Sequence, residues 1–124
     1  MAKSRAAVYL RRGQNLRKAM EEAEERKNDD AVAVTGVQAA ISYSDAFTVA
    51  KLGLRSRGQS HQEVVRLIAT VGTPTASRLA SQVQLVLNRR NEVEYGERQV
   101  NAGDAARIAR IVREISDLVT AEVP

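Results

Sequence analysis

Proline constrains this chain most, by being nearly absent. It occurs only at Pro74 and Pro124, so almost the whole length lacks the residue that breaks a helix interior. The alternation of apolar and polar residues that marks a half-buried strand is equally hard to find. Helix is therefore the expected structure throughout, and 124 residues amount to one domain with one core.

The apolar fraction is 44% and the charged fraction 27%, a balance that suits a folded domain and argues against general disorder. With one Phe, three Tyr and no Trp, the core is expected to be aliphatic. The sequence holds no cysteine, which excludes disulfides, thiolate zinc sites and thiol nucleophiles. No apolar run approaches the roughly 20 residues of a membrane span, and the first residues lack a signal-peptide stretch. A cytoplasmic location is expected.

Five helical segments can be placed. The first covers residues 4–26, with Tyr9, Leu16, Met20 and Ala23 on one face. Its Glu21, Glu22, Glu24 and Glu25 lie in the last turns, where a helix dipole favours cations, and are read as a solvated face beside Lys18 and Arg26. Asn28, Asp29 or Asp30 caps a second helix that reaches Leu52. Apolar residues on several of its faces make it the expected central helix. Ser60 and Glu63 have the spacing of a capping box before a short third helix. Thr73 followed by Pro74 reads as an N-cap with proline at the first helical position. The fourth helix then carries Leu79, Val83, Val86 and Leu87 inward and reaches Tyr95, with Gly96 as its C-cap. Asn101 and Asp104 cap the last helix, in which Ala105, Ile108, Ile111, Val112, Ile115, Leu118 and Val119 keep helical spacing. The expected fold class is all-α: an up-and-down four-helix bundle with an extra short helix.

Enzyme signatures are sparse. "LGLRSRG" has too few glycines for a phosphate-cradling loop, and no strand precedes it. His61 is the sole histidine; its neighbour Ser60 suits a cap better than a catalytic triad. Zinc sites usually need several nitrogen or sulfur ligands, and the Glu-x-x-His motif of di-metal bundles does not occur. No metal or cofactor is expected. The net charge of +4 and pI near 9.8 permit an anionic partner. Lys3, Arg5, Arg11, Arg12, Arg17 and Lys18 all precede the first acid, Glu21, and this basic run is read as facing solvent.

One polar stretch stands out, "NRRNEVEYG" over residues 88–96. Arg90 and Glu94 share a helix face, as do Asn91 and Tyr95. Taken alone, it is a solvated helix end with an Arg90–Glu94 pair worth ~0.3–0.5 kcal/mol. Its place in the chain adds to this. An alanine-rich helix containing "AAISYSDAF", then "SHQEVVRLI", then "LNRRNEVEYG" and a capped last helix resembles the HEPN family (higher eukaryotes and prokaryotes nucleotide-binding domain), over residues 8–119. The resemblance implies a dimeric helical bundle, often paired with a small nucleotidyltransferase as toxin and antitoxin. Catalytic members cleave RNA without metal through an Arg, a polar residue and a His four to six positions on, the two copies facing each other. Arg90 maps as that arginine and Asn91 as the polar residue, while Tyr95 stands where the histidine belongs. A guanidinium can hold two phosphate oxygens. A phenol with a pKa of ~10 is a poor general base at neutral pH, but Tyr95 can donate a hydrogen bond to phosphate or stack on a base.

Three functions follow in order. The first is an RNA- or nucleotide-binding homodimer built around Arg90, Asn91 and Tyr95, with endoribonuclease activity weak or lost. The second is a non-catalytic dimeric module that binds a protein partner such as a nucleotidyltransferase. The third is a DNA-binding helix-turn-helix within residues 60–84, ranked last because capping already explains Thr73 and Pro74.

Overall fold

The computed structural model describes residues 2–57, 61–95 and 99–124, with backbone alone for residues 2–4, 61 and 91–95. Among the described residues the chain forms α1 (Ala2–Glu25), α2 (Asp29–Leu52), α3 (His61–Ala69), α4 (Pro74–Tyr95) and α5 (Ala102–Glu122), and no strand. This is the expected all-α bundle of four long helices and one short one.

The turns are built from local hydrogen bonds. Lys27 takes the left-handed conformation at φ 55°, its amide donates to the Glu24 carbonyl at 3.0 Å, and the Asn28 amide donates to Ala23 at 3.0 Å. That pair is a Schellman ending of α1 with lysine where glycine is usual. Asn28 also caps the next helix, its Oδ1 accepting from the Ala31 amide at 3.2 Å. One residue thus closes α1 and opens α2, which folds the two helices back on each other. Thr73 Oγ1 accepts from the Ala76 amide at 3.1 Å, directly ahead of Pro74, as the proline position predicts. Asn101 and Asp104 form a reciprocal capping box at the start of α5. Ser60 and Gly96, the remaining predicted caps, lie outside the described residues.

α2 is the axis of the molecule and touches all the other helices. Residues 42–49 are buried without a break, so this part of α2 is enclosed on every face. The apolar excess that the sequence carries there is consumed inside the protomer. Met20, Ile68, Leu79, Val83, Ile108, Val112 and Ile115 are fully buried on the other helices. The largest fully buried side chains are nevertheless Tyr43 and Phe47, which corrects the expectation of an aliphatic core. The Tyr43 ring lies against Gly13 of α1, where a side chain would compete for the same space.

Two glycines let the helices approach. A Cβ on Gly36 would stand 2.6 Å from Ile108 Cγ2 and 3.2 Å from Met20 Sδ, and one on Gly13 would stand 3.0 Å from the Tyr43 ring. Polar links cross the same seams. Arg17 Nη1 donates to Ser116 Oγ at 2.8 Å, and Ser116 Oγ donates to Tyr43 Oη at 2.9 Å. This chain joins α1, α5 and α2 and satisfies a phenol that is otherwise wholly enclosed.

The glutamates of α1 do not form the uniform solvated face expected of them. Glu22 and Glu25 are exposed, but Glu21 pairs with Arg17 at 3.3 Å and with Arg113 at 3.5 Å, and Glu24 pairs with Arg113 as well. Arg113 on α5 supplies the cation that the dipole of α1 would otherwise seek locally. Arg17 likewise departs from the solvent-facing basic run, because it turns inward to Ser116.

Candidate functional site

The predicted motif occupies the last two turns of α4. Arg89 and Arg90 are both half-buried there. Arg89 Nη1 lies 3.4 Å from Asp104 Oδ1, a carboxylate only 5% exposed whose other oxygen accepts from the Asn101 amide at 3.1 Å. Arg89 therefore ties the end of α4 to the first turn of α5. A charge-assisted contact to a carboxylate already engaged in a cap holds both helix ends in register. The backbone of Asn91 and Tyr95 continues α4, while their side chains and the Glu94 partner suggested for Arg90 lie outside the described residues.

A second constellation was not singled out from the sequence. An open groove of about 680 Å3 runs between α1 and α2 and reaches Arg55 beyond the end of α2. α1 contributes Arg11, Arg12 and Asn15 with the apolar Val8 and Leu16; α2 contributes Gln38, Ile41, Ser42 and Asp45. Helical periodicity puts them together: residues 8, 11, 12, 15 and 16 share one face of α1, and 38, 41, 42 and 45 share one face of α2.

Tyr9 organises the cations. The Arg12 guanidinium lies 5.5 Å and the Arg55 guanidinium 5.1 Å from its ring centroid, within the range of cation–π attraction. Arg55 Nη1 is also 3.6 Å from Asp45 Oδ2. Asp45 is 7% exposed, and burial pushes its carboxyl up to about 6 against the opposing pull of Arg55 and, more weakly, Arg12. Loss of hydration outweighs the neighbouring cations because they stand at the rim while the carboxylate lies beneath it. The lining thus carries three guanidinium groups against one carboxylate, a surplus of positive charge over an apolar floor.

The signal for this groove was present in "AAISYSDAF", where Asp45 sits inside a run of residues that are all buried except Ile41. A lone acid in such a run is costly unless cations meet it. Which cations meet it depends on the α1–α2 register and on the path of the chain after Gly53, neither of which periodicity supplies.

Among the described residues no group of His, Asp and Glu is arranged to hold a metal ion, and no helix is long and apolar enough to cross a membrane. Comparison with protein families, with characterised proteins and with solved structures finds no match to this chain.

Proposed function

We propose that the protein is a HEPN-like RNA- or nucleotide-binding protein of the toxin–antitoxin type, which engages phosphate at the end of α4 through Arg90 and Asn91. The observation that carries this reading is the tie between Arg89, next to Arg90, and Asp104 of α5. Arg89 is committed to Asp104 at the base of α5, so the helix end that presents Arg90 is anchored, and rigid support is what a phosphate-binding guanidinium needs. The expected all-α bundle and the order of the motifs along it support the same reading.

Tyr95 limits the chemistry. Metal-free RNA cleavage needs a group to take the 2′-hydroxyl proton, and an ordinary phenol does this poorly near neutral pH. Binding without efficient cleavage is the expected behaviour. The homodimer belongs to this proposal through the HEPN resemblance, since residues 42–49 of α2 are buried within the protomer. The test is incubation of purified protein with varied RNAs in the absence of divalent metal, comparing the native chain with Arg90→Ala and Tyr95→Phe. Retention of RNA with little cleavage, lost in Arg90→Ala, supports the proposal. Absence of both binding and cleavage leaves the alternative, a non-catalytic module for a nucleotidyltransferase-type partner. The exposure of Val34 and Leu85 on α2 and α4 gives such a partner apolar side chains to cover.

A further inference from the structure

We infer that the groove between α1 and α2 is a binding site for a nucleoside phosphate, separate from the end of α4 and independent of the reading proposed for it. Arg12 and Arg55 hold the phosphate, and the base lies against the apolar side chains of Val8 and Ile41, within reach of the Gln38 amide.

Three observations carry this. The first is charge. Three guanidinium groups line the groove and one carboxylate opposes them, which leaves a surplus of two positive charges when Asp45 is ionised, the charge a phosphate monoester brings. The second is preorganisation. Arg12 and Arg55 reach the groove from different segments of the chain and are both drawn to the Tyr9 ring, so the forks are gathered before a ligand arrives. Guanidinium side chains fixed in this way lose less freedom on binding an anion. The third is size and composition. A volume of about 680 Å3 falls within the ~300–1,000 Å3 of small-molecule sites, and its walls combine an apolar strip with side-chain amides that both donate and accept. Inorganic phosphate would use the arginines and leave the strip and the amides idle; a nucleotide uses all three.

Asp45 Oδ2 lies 3.6 Å from Arg55 Nη1, so the buried carboxylate meets one of these two arginines directly.

The experiment is isothermal titration of the full chain with adenosine diphosphate, guanosine monophosphate and inorganic phosphate at low salt. At least one nucleotide is expected to bind, with affinity about tenfold or more above that of inorganic phosphate. Arg12→Ala and Arg55→Ala are each expected to weaken it about tenfold, as loss of a charge-assisted contact does. Lys18→Ala removes an exposed charge from α1 without touching the groove lining and is expected to leave binding unchanged, which separates a site from general basicity. Gln38→Leu is expected to change the ratio of the two nucleotide affinities. No nucleotide binding, equal binding in the Arg12→Ala/Arg55→Ala double variant, or equal affinity for inorganic phosphate overturns the inference. RNA binding lost in Arg90→Ala bears only on the end of α4, so failure of either site is read separately.

Discussion

Arg89 of α4 reaches Asp104 of α5 at 3.4 Å, and Asp104 is the same residue that closes the capping box with Asn101. One carboxylate therefore serves a cap and a helix-to-helix tie. Asp104→Ala removes both and leaves the Asn101 amide without its acceptor, so it is expected to lower stability by about 2 kcal/mol. Arg89→Ala is expected to cost less, about 1 kcal/mol, because Asp104 keeps its cap. Urea unfolding followed by circular dichroism checks the order, and an equal or smaller loss in Asp104→Ala would refute the dual role.

Gly36→Ala probes the closest helix approach. The added methyl would meet Ile108 Cγ2 at 2.6 Å, and overpacking of this kind costs about 1–3 kcal/mol, against a helix-propensity gain of about 0.5–1 kcal/mol. Net destabilisation is expected. Adding Ile108→Ala empties the obstructing volume, so the double variant should lose less than the sum of the two single losses. Additive losses in thermal unfolding would place the strain elsewhere.

Lys27→Gly should stabilise the protein. Lysine at φ 55° bears the Cβ cost of a left-handed residue, which glycine lacks, while glycine adds freedom to the unfolded chain. A net gain of about 0.5–1 kcal/mol is expected in urea unfolding. A loss would mean that the Lys27 side chain contributes more than its backbone costs.

Much of the architecture was legible because it is local. Asn28, Thr73 with Pro74, and Asn101 with Asp104 each announce a helix start within four residues, and the spacing from Ala105 to Val119 needs no partner to be recognised. The long-range pairings were not legible. Nothing near Glu24 indicates that Arg113 will meet it, because that contact depends on how α1 and α5 pack. The α1–α2 groove has the same origin: Arg12, Asp45 and Arg55 converge only through the helix register set by the Lys27–Asn28 turn and the path of the chain after Gly53. Arg90 could be named from its place in a motif, yet the tie made by Arg89 required Asp104 to be located in space.

Asp45 makes stability depend on pH. Its carboxyl is pushed from an ordinary 3.8 up to about 6 by burial, with Arg55 and Arg12 pulling the other way. The folded state therefore holds a proton that the unfolded state has already released between these values. The contribution of Asp45 to stability is fully present below about pH 4, is lost as pH rises through this window, and levels off above it. Asp45→Asn should abolish this step and stabilise the protein by about 1–2 kcal/mol at pH 7.5, a value reduced from the full shift because the Arg55 pair is also lost. Thermal melts of both proteins at pH 4.5 and 7.5 check the sign. A native protein that gains stability over this interval relative to Asp45→Asn would contradict it.

The central claim is that Arg90 binds phosphate. Its most direct test is the affinity of a single-stranded RNA oligonucleotide for the native chain and for Arg90→Ala, measured by fluorescence polarisation over a range of salt concentrations. Affinity is expected to fall steeply with salt in the native protein. Arg90→Ala is expected to bind more weakly, with a salt slope smaller by about one unit, as for one lost phosphate contact. Binding that ignores salt, or that is the same in both proteins, would contradict it.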